Sequence, residues 1–279
     1  MSAELERALA FEKALRERCA ERIVPFRFGR AYFNDSFPRV WDLNALRVEG
    51  TRFVDPGELA ADAELLHTDA GQTHRCIDVP DERLAAGLES FFRGLRWRVE
   101  REVVMAYRGD GERTADTSVV EEVEPDDLRP LREEIARAEP WATDEEVVRM
   151  VVDANRVWAR AGNARHLAVR ENAQIAAATD LYSDGRTAQI EDVATAPTHR
   201  GRGYASAVVL RAVEEAFAAG HDFVFLTADD EDWPKELYGR LGFAPVGRTV
   251  TFLRTPGQAP SPERSSGSRA APGRATGES

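Results

Sequence analysis

The chain has 279 residues, 43% of them apolar, and a formal net charge of −12. That length provides for two ordinary domains or one large one, and the acidic excess excludes a broad nucleic-acid or anionic-membrane surface while tilting toward cationic or neutral partners. No apolar run is long enough to cross a bilayer, and the charged helical start reads as neither signal nor transit peptide, so a cytoplasmic protein is expected.

In chain order, residues 3–20 carry Leu5, Ala8, Leu9, Phe11, Leu15 and Cys19 at helical spacing. Residues 23–32 read as a strand, Asn34-Asp35-Ser36 as a turn, and 39–48 as a returning strand. Pro56 opens a helix over 58–66, 73–79 is a strand, Pro80-Asp81 opens a helix to about 92, and 97–107 is extended. The polar, glycine-bearing segment 108–113 marks a domain boundary, giving domains 1–113 and 114–254. Beyond it, 117–123 reads as strand and 126–138 as helix. Thr143 caps a longer helix with Glu145 and Glu146 in its first turn. Residues 166–169 and 174–182 form a hairpin, followed by a strand over 187–195, a helix over 202–219 and a short strand over 222–226. Asp232 caps a short helix that Gly242 ends, and 246–253 closes the fold. From 255 to 279 Pro, Gly, Ser, Ala and Arg dominate, the composition of a disordered tail. Cys19 and Cys76 form no CxxC pair, and with His74 they read as structural.

Two features carry chemistry. Arg200-Gly201-Arg202-Gly203-Tyr204-Ala205 lies between a strand and a long helix. Glycines let the main chain approach a ligand, and the unpaired first-turn N–H groups with the helix dipole favour an anion there. Arg200 and Arg202 add charge-assisted hydrogen bonds, so a phosphorylated ligand is expected. The second feature is a repeat. Leu237-Tyr238-Gly239-Arg240-Leu241-Gly242-Phe243 and Phe91-Phe92-Arg93-Gly94-Leu95-Arg96-Trp97 share their aromatic-Leu-aromatic spacing and an extended run to a closing arginine, Arg254 and Arg108. They read as two copies of one unit. The first copy lacks the arginine-glycine turn and has Phe92 where the second has Tyr238.

With these residues the second half, 117–254, resembles the GNAT superfamily of N-acetyltransferases. The glycine turn stands behind Pro197, and the Leu-Tyr-x-x-Leu-Gly-Phe element follows at suitable spacing. The first half resembles a degenerate copy. The resemblance implies an α/β (α+β) fold with a mixed, mostly antiparallel sheet flanked by helices, in two tandem copies. It implies acetyl-CoA or another acyl-CoA as co-substrate and a small-molecule or peptide amine as acceptor, attacked without an acyl-enzyme. The amides of Gly201, Arg202, Gly203, Tyr204 and Ala205 would hold the pyrophosphate. The main chain of Val193, Ala194 and Thr195 would pair with the pantetheine arm, and an N–H there would hold the oxyanion. Tyr238 would protonate the departing thiolate as general acid. Glu191 is the expected base, with Asp192 on the opposite face of the strand. Glu231 stands where many members carry an asparagine near the cofactor.

Other readings are weaker. No Gly-Lys-Ser/Thr is present, which removes a P-loop. Gly201-x-Gly203-x-x-Ser206 ends in serine, and Asp222 begins a strand where a dinucleotide fold needs an acid at a strand's end. His199, Trp158 and Trp233 read as solvated or core residues. The competing class is an acyl-CoA-binding module without catalysis. The acceptor itself is not legible, and the first half is expected to form one wall of its cleft.

Overall fold

A computed structural model describes residues 2–50 and 53–255; the expected tail lies, apart from Thr255, outside the described residues. Among the described residues seven α-helices are formed: α1 Ala3–Cys19, α2 Pro56–Asp69, α3 Glu82–Gly94, α4 Arg129–Ala138, α5 Glu145–Gly162, α6 Tyr204–Ala218 and α7 Pro234–Arg240. The strands are β1 Arg22–Phe26, β2 Gly29–Phe33, β3 Ala45–Val48, β4 Arg75–Val79, β5 Arg98–Tyr107, β6 Val120–Glu122, β7 Arg165–Glu171, β8 Gln174–Ser183, β9 Thr187–Thr195, β10 Phe223–Asp229 and β11 Phe243–Arg254. All eleven join one sheet in the order β1-β2-β3-β4-β11-β5-β10-β9-β8-β7-β6. The sheet is mixed and mostly antiparallel; among the described residues only β3–β4 and β9–β10 pair in parallel. No helix among the described residues is long and apolar enough to cross a membrane.

Several local readings change for identifiable reasons. The expected strand 23–32 is a hairpin, β1 to β2. It turns without an Asn-Gly signal, and Gly29 lets the chain pass so close that a Cβ there would lie 2.1 Å from the Arg47 carbonyl oxygen. The expected strand 39–48 is a 3₁₀ turn, Trp41–Leu43, followed by β3. Asn44 causes this. Its side-chain amide donates to the Phe37 and Val40 carbonyls at 2.8 Å, replacing ladder bonds. The cap of α5 is Asp144, whose carboxylate accepts from Val147 N–H at 2.9 Å, while Thr143 accepts from Arg39. Asp232 accepts from Trp233 N–H just before α7.

The two halves exchange their final strands. β5, from the first half, pairs with β10 of the second. β11, from the second half, pairs with β4 of the first, and β5 and β11 pair with each other at the centre. The arrangement is symmetric: β3–β4 and β9–β10 are both parallel, and β4–β11 matches β10–β5. One face of the sheet is covered by α2 and α3 over a core around Phe92, Ile77 and Phe252, and by α6 and α7 over a core around Val208, Leu226 and Tyr238. The other face carries α1 and α5, packed on Phe223 and Phe225 through Leu9, Phe11, Leu15 and Val151. α1 thus belongs to the first half by sequence and to the second by packing.

Truncation at 113/114 removes β5 from between β10 and β11 and strips α1 from the apolar row at Phe223 and Phe225. The fragment 114–254 is expected to show no cooperative thermal transition by circular dichroism. A sharp transition for the isolated fragment would refute the mutual completion of the halves.

Candidate active site

The glycine turn is built as the sequence suggests. β9 ends at Thr195, Pro197–His199 forms one 3₁₀ turn, and α6 starts at Tyr204. Gly201 and Gly203 have φ of 74° and 82°, the left-handed region where a Cβ is penalised. Gly203 is the N-cap and supplies no side chain, so the first-turn amides of α6 have no side-chain acceptor. The corresponding helix of the first half is the opposite. α2 begins with Pro56, which has no N–H, and Asp55 caps it by accepting from Glu58 N–H. There a carboxylate takes a first-turn amide that the α6 turn leaves without a side-chain acceptor.

Arg202 is exposed, and its guanidinium is paired with Glu171 at 2.8 Å. The Tyr204 hydroxyl also donates to Glu171, at 3.2 Å. Glu171 therefore orders this end of the turn, a role the sequence reading missed. A phosphate there would compete with Glu171 for Arg202. Glu139, after α4, is raised to about 7 by burial, against the opposing pull of Arg200.

Beside the turn the sheet opens. Parallel pairing runs from Thr187–Phe223 to Ile190–Leu226 and stops, although β9 continues to Thr195 and β10 to Asp229. β8 still pairs with Ala194 and Thr195 on the other side. Residues 191–195 thus offer one main-chain edge toward a gap between strands. Val193 and Thr195 are buried, and Ala194 is half-buried against an apolar cavity.

At the mouth of the gap β9 is irregular. The register with β8 shifts between Ala178 and Asp180, and Asp192 has φ 53°. The bulge breaks the alternation of side chains. As a result Glu191 and Asp192 line the same cavity, which corrects the expectation that Asp192 points to the opposite face. Glu191 accepts from Gln189 Nε2 at 2.6 Å and from the Thr227 hydroxyl at 3.3 Å. Burial, with Asp192 and Glu12 nearby, raises its pKa well above the ordinary 4.5. Asp192 is raised by burial and by Asp180. Arg132 joins these two, 2.6 Å from Asp180 and 3.5 Å from Asp192, and His166 Nδ1 lies 2.7 Å from Asp180. The sequence signal for this network was a lone carboxylate, Asp180, in the mostly apolar strand β8.

Tyr238 sits on α7, 6% exposed, with its ring edge-on to Phe243. Its phenol is pushed far up by burial and by the negative potential of Glu191, so it keeps its proton throughout the working range.

The cavity at Glu191 has a volume of ≈ 100 Å³ and is walled by both halves: α1, the Trp41–Leu43 turn, β4 and β5 from the first, α5, β8, β9 and β11 from the second. A second, apolar cavity of ≈ 40 Å³ lies between α4, α5 and the sheet, lined by Leu131, Ile135, Val152 and Ala194. Asn155 and Asp192 line both. Cys76 borders the first cavity with its thiol raised by burial, and His74 is buried with Nε2 3.0 Å from the Asn44 carbonyl oxygen. Among the described residues no cluster of His, Cys, Asp and Glu would hold a metal ion.

Residues 127–243 match the model of the Acetyltransferase (GNAT) family. That stretch is similar to a family whose members transfer acyl groups from acyl-CoA. Similar folds extend over both halves. The GCN5-related N-acetyltransferase from Kribbella flavida is 18% identical, with a TM-score of 0.63 over 92% of this chain and 97% of that one. A functionally unknown conserved protein from Staphylococcus epidermidis is 17% identical, with a TM-score of 0.65 over 84% of this chain and 94% of that one. At these identities the likeness is one of fold. No curated protein matches the sequence.

Proposed function

We propose that the protein is an acyl-CoA-dependent N-acyltransferase with a single working site, in the second half. The observation that carries this reading is the juxtaposition of the uncapped α6 turn with the parted strands β9 and β10, with Glu191 at the mouth of the gap between them. The turn amides from Gly201 to Ala205, with Arg200 and Arg202, would bind the pyrophosphate of acetyl-CoA or another acyl-CoA. The exposed edge of Val193, Ala194 and Thr195 would pair with the pantetheine arm and supply an N–H to the thioester oxygen. Glu191, with its raised basicity, takes the ammonium proton of the acceptor. The free amine attacks the thioester carbonyl, the C–S bond breaks, and Tyr238 gives its proton to the departing sulfur. The acyl group ends on nitrogen, the second proton that this nitrogen sheds restores the Tyr238 phenol, and the thiol is released.

On this reading the first half is a second copy that lost its ligand turn and gained Asp55 in its place. It keeps the task of completing the sheet and walling the acceptor cavity. Replacing Tyr238 by Phe removes the proton donor and little volume. Turnover is expected to fall about 10²–10⁴-fold, with acyl-CoA affinity retained, as read by thiol release and calorimetric titration. Equal turnover in Tyr238→Phe would remove the acid from the mechanism. Tight acyl-CoA binding without turnover on any amine would favour a sensor or scaffold instead.

A further inference from the structure

Two cavities adjoin beside the gap in the sheet, and acyl transfer has two partners to bring together. The larger, at Glu191, is lined mostly by polar and charged side chains, carboxylates above all. The smaller is apolar: Leu131 and Ile135 come from α4, Val151 and Val152 from α5, and Ala178 and Ala194 from β8 and β9. Asn155 and Asp192 line both, so the two meet at the β9 bulge. Asn155 is 3% exposed and keeps its Oδ1 without a hydrogen-bond partner. A buried acceptor without a donor costs free energy until a ligand supplies one. The junction therefore calls for an N–H, which an attacking amine brings.

The apolar cavity lies where an acyl chain has to go. Along β9 successive side chains diverge: Val193 packs in the core beneath α6, and Ala194 in the core beneath α4. Ala194 thus belongs both to the main-chain edge that faces the gap and to the wall of the cavity. The charged groups at its border leave the interior dry. Arg132 is held by Asp180 and Asp192, and burial raises Glu139 to about 7. Protein cores leave few voids larger than a water molecule, and one walled by aliphatic side chains costs stability and stays dry until an apolar ligand enters. Ala178 and Ala194 keep this one open, at positions where a larger side chain would close it.

The volume sets the length of the chain. At ~10–15 Å³ per water-sized group, ≈ 40 Å³ holds about three or four of them. An acetyl group brings only a methyl beyond its carbonyl and underfills the space. A butyryl group brings three carbons, and an octanoyl group overfills it.

Resting on the acyltransferase reading, we propose that the cavity between α4, α5 and the sheet is an acyl-chain pocket, and that the preferred donor is a short-chain acyl-CoA of butyryl size. The chain lies in the apolar cavity and the amine comes from the cavity at Glu191. The two meet at Asp192 and Asn155.

Calorimetric titration of the full-length protein with acetyl-, butyryl- and octanoyl-CoA tests this without an acceptor. Butyryl-CoA is expected to bind about tenfold tighter than acetyl-CoA, because two more methylenes leave water. Octanoyl-CoA is expected to bind no tighter than acetyl-CoA. In Val152→Phe, which fills the cavity, the ratio of butyryl to acetyl affinity is expected to fall to about one. Val152 is buried; if that variant does not melt cooperatively, Ile135→Phe, at a half-buried position of α4, makes the same comparison. Equal affinity for acetyl- and butyryl-CoA in wild type, or a butyryl advantage that survives the filling substitution, overturns the pocket and leaves the transferase reading standing. An affinity that keeps rising to octanoyl-CoA puts the chain elsewhere and overturns the pocket as well. No heat with any of the three overturns the pocket and the transferase reading together.

Discussion

Gly203→Asp is expected to reduce acetyl-CoA affinity at least about a hundredfold while the ligand-free protein melts nearly where wild type does. The sign of each effect follows from the geometry. Gly203 is the left-handed N-cap of α6, and a Cβ there meets nothing within 4 Å. Aspartate would not clash. The left-handed backbone would cost it about 1–2 kcal/mol, and a capping carboxylate would return about 1 kcal/mol, so stability changes little. Binding suffers twice. The new carboxylate takes the amides that the pyrophosphate needs, and it repels the phosphates. Losing even two charge-assisted hydrogen bonds amounts to about 3 kcal/mol or more, roughly a hundredfold. The substitution would give the second half the device that Asp55 already gives the first. Calorimetric titration and a ligand-free thermal scan check it together; unchanged affinity would refute the placement of the phosphates.

The second large effect is at Glu191. In the folded state its carboxyl holds its proton to higher pH than in the unfolded chain, because burial and the neighbouring Asp192 and Glu12 disfavour its charge. Below the ordinary value of 4.5 both states are protonated and Glu191 costs nothing. As pH rises above it, the unfolded chain ionises first, the folded state binds more protons, and stability falls until the folded pKa is passed. Glutamine keeps the uncharged shape. Glu191→Gln is therefore expected to melt with wild type near pH 4 and above it at neutral pH, with a gap that widens over the window. Its turnover is expected to fall about 10²–10⁴-fold and to lose the rising limb of the pH–rate profile. A variant less stable than wild type at neutral pH, with its activity intact, would remove both the strain and the role. A gain in stability bought with function is the usual signature of a working residue.

Much of this was legible because it is local. The glycine turn, the strand before it and the helix after it lie within 187–219, and their chemistry follows from short-range geometry. The aromatic-Leu-aromatic repeat was legible for the same reason, and the symmetric pairing of β4–β11 with β10–β5 agrees with a duplication. The exchange of β5 and β11 was not legible. Pairing partners such as Phe225 and Ala106 are far apart in sequence, and either partition of the last strands buries the same apolar pattern. Asp192 was misplaced because alternation assumes a regular pleat, and a left-handed residue at a bulge breaks it. The acidic cavity was hidden because α1, a turn and six strands or helices each contribute only one or a few of its residues. Even Asp144 displaced Thr143 as a cap by a single position, a distance within which helix ends are commonly ambiguous.

Amine-dependent release of thiol from acetyl-CoA by the full-length protein, followed against a panel of primary amines with Tyr238→Phe as the control, tests the central claim most directly. The account predicts turnover in wild type that requires both acetyl-CoA and the amine and drops at least a hundredfold in the variant. Acetyl-CoA bound tightly, with no thiol released above background on any amine, would contradict it.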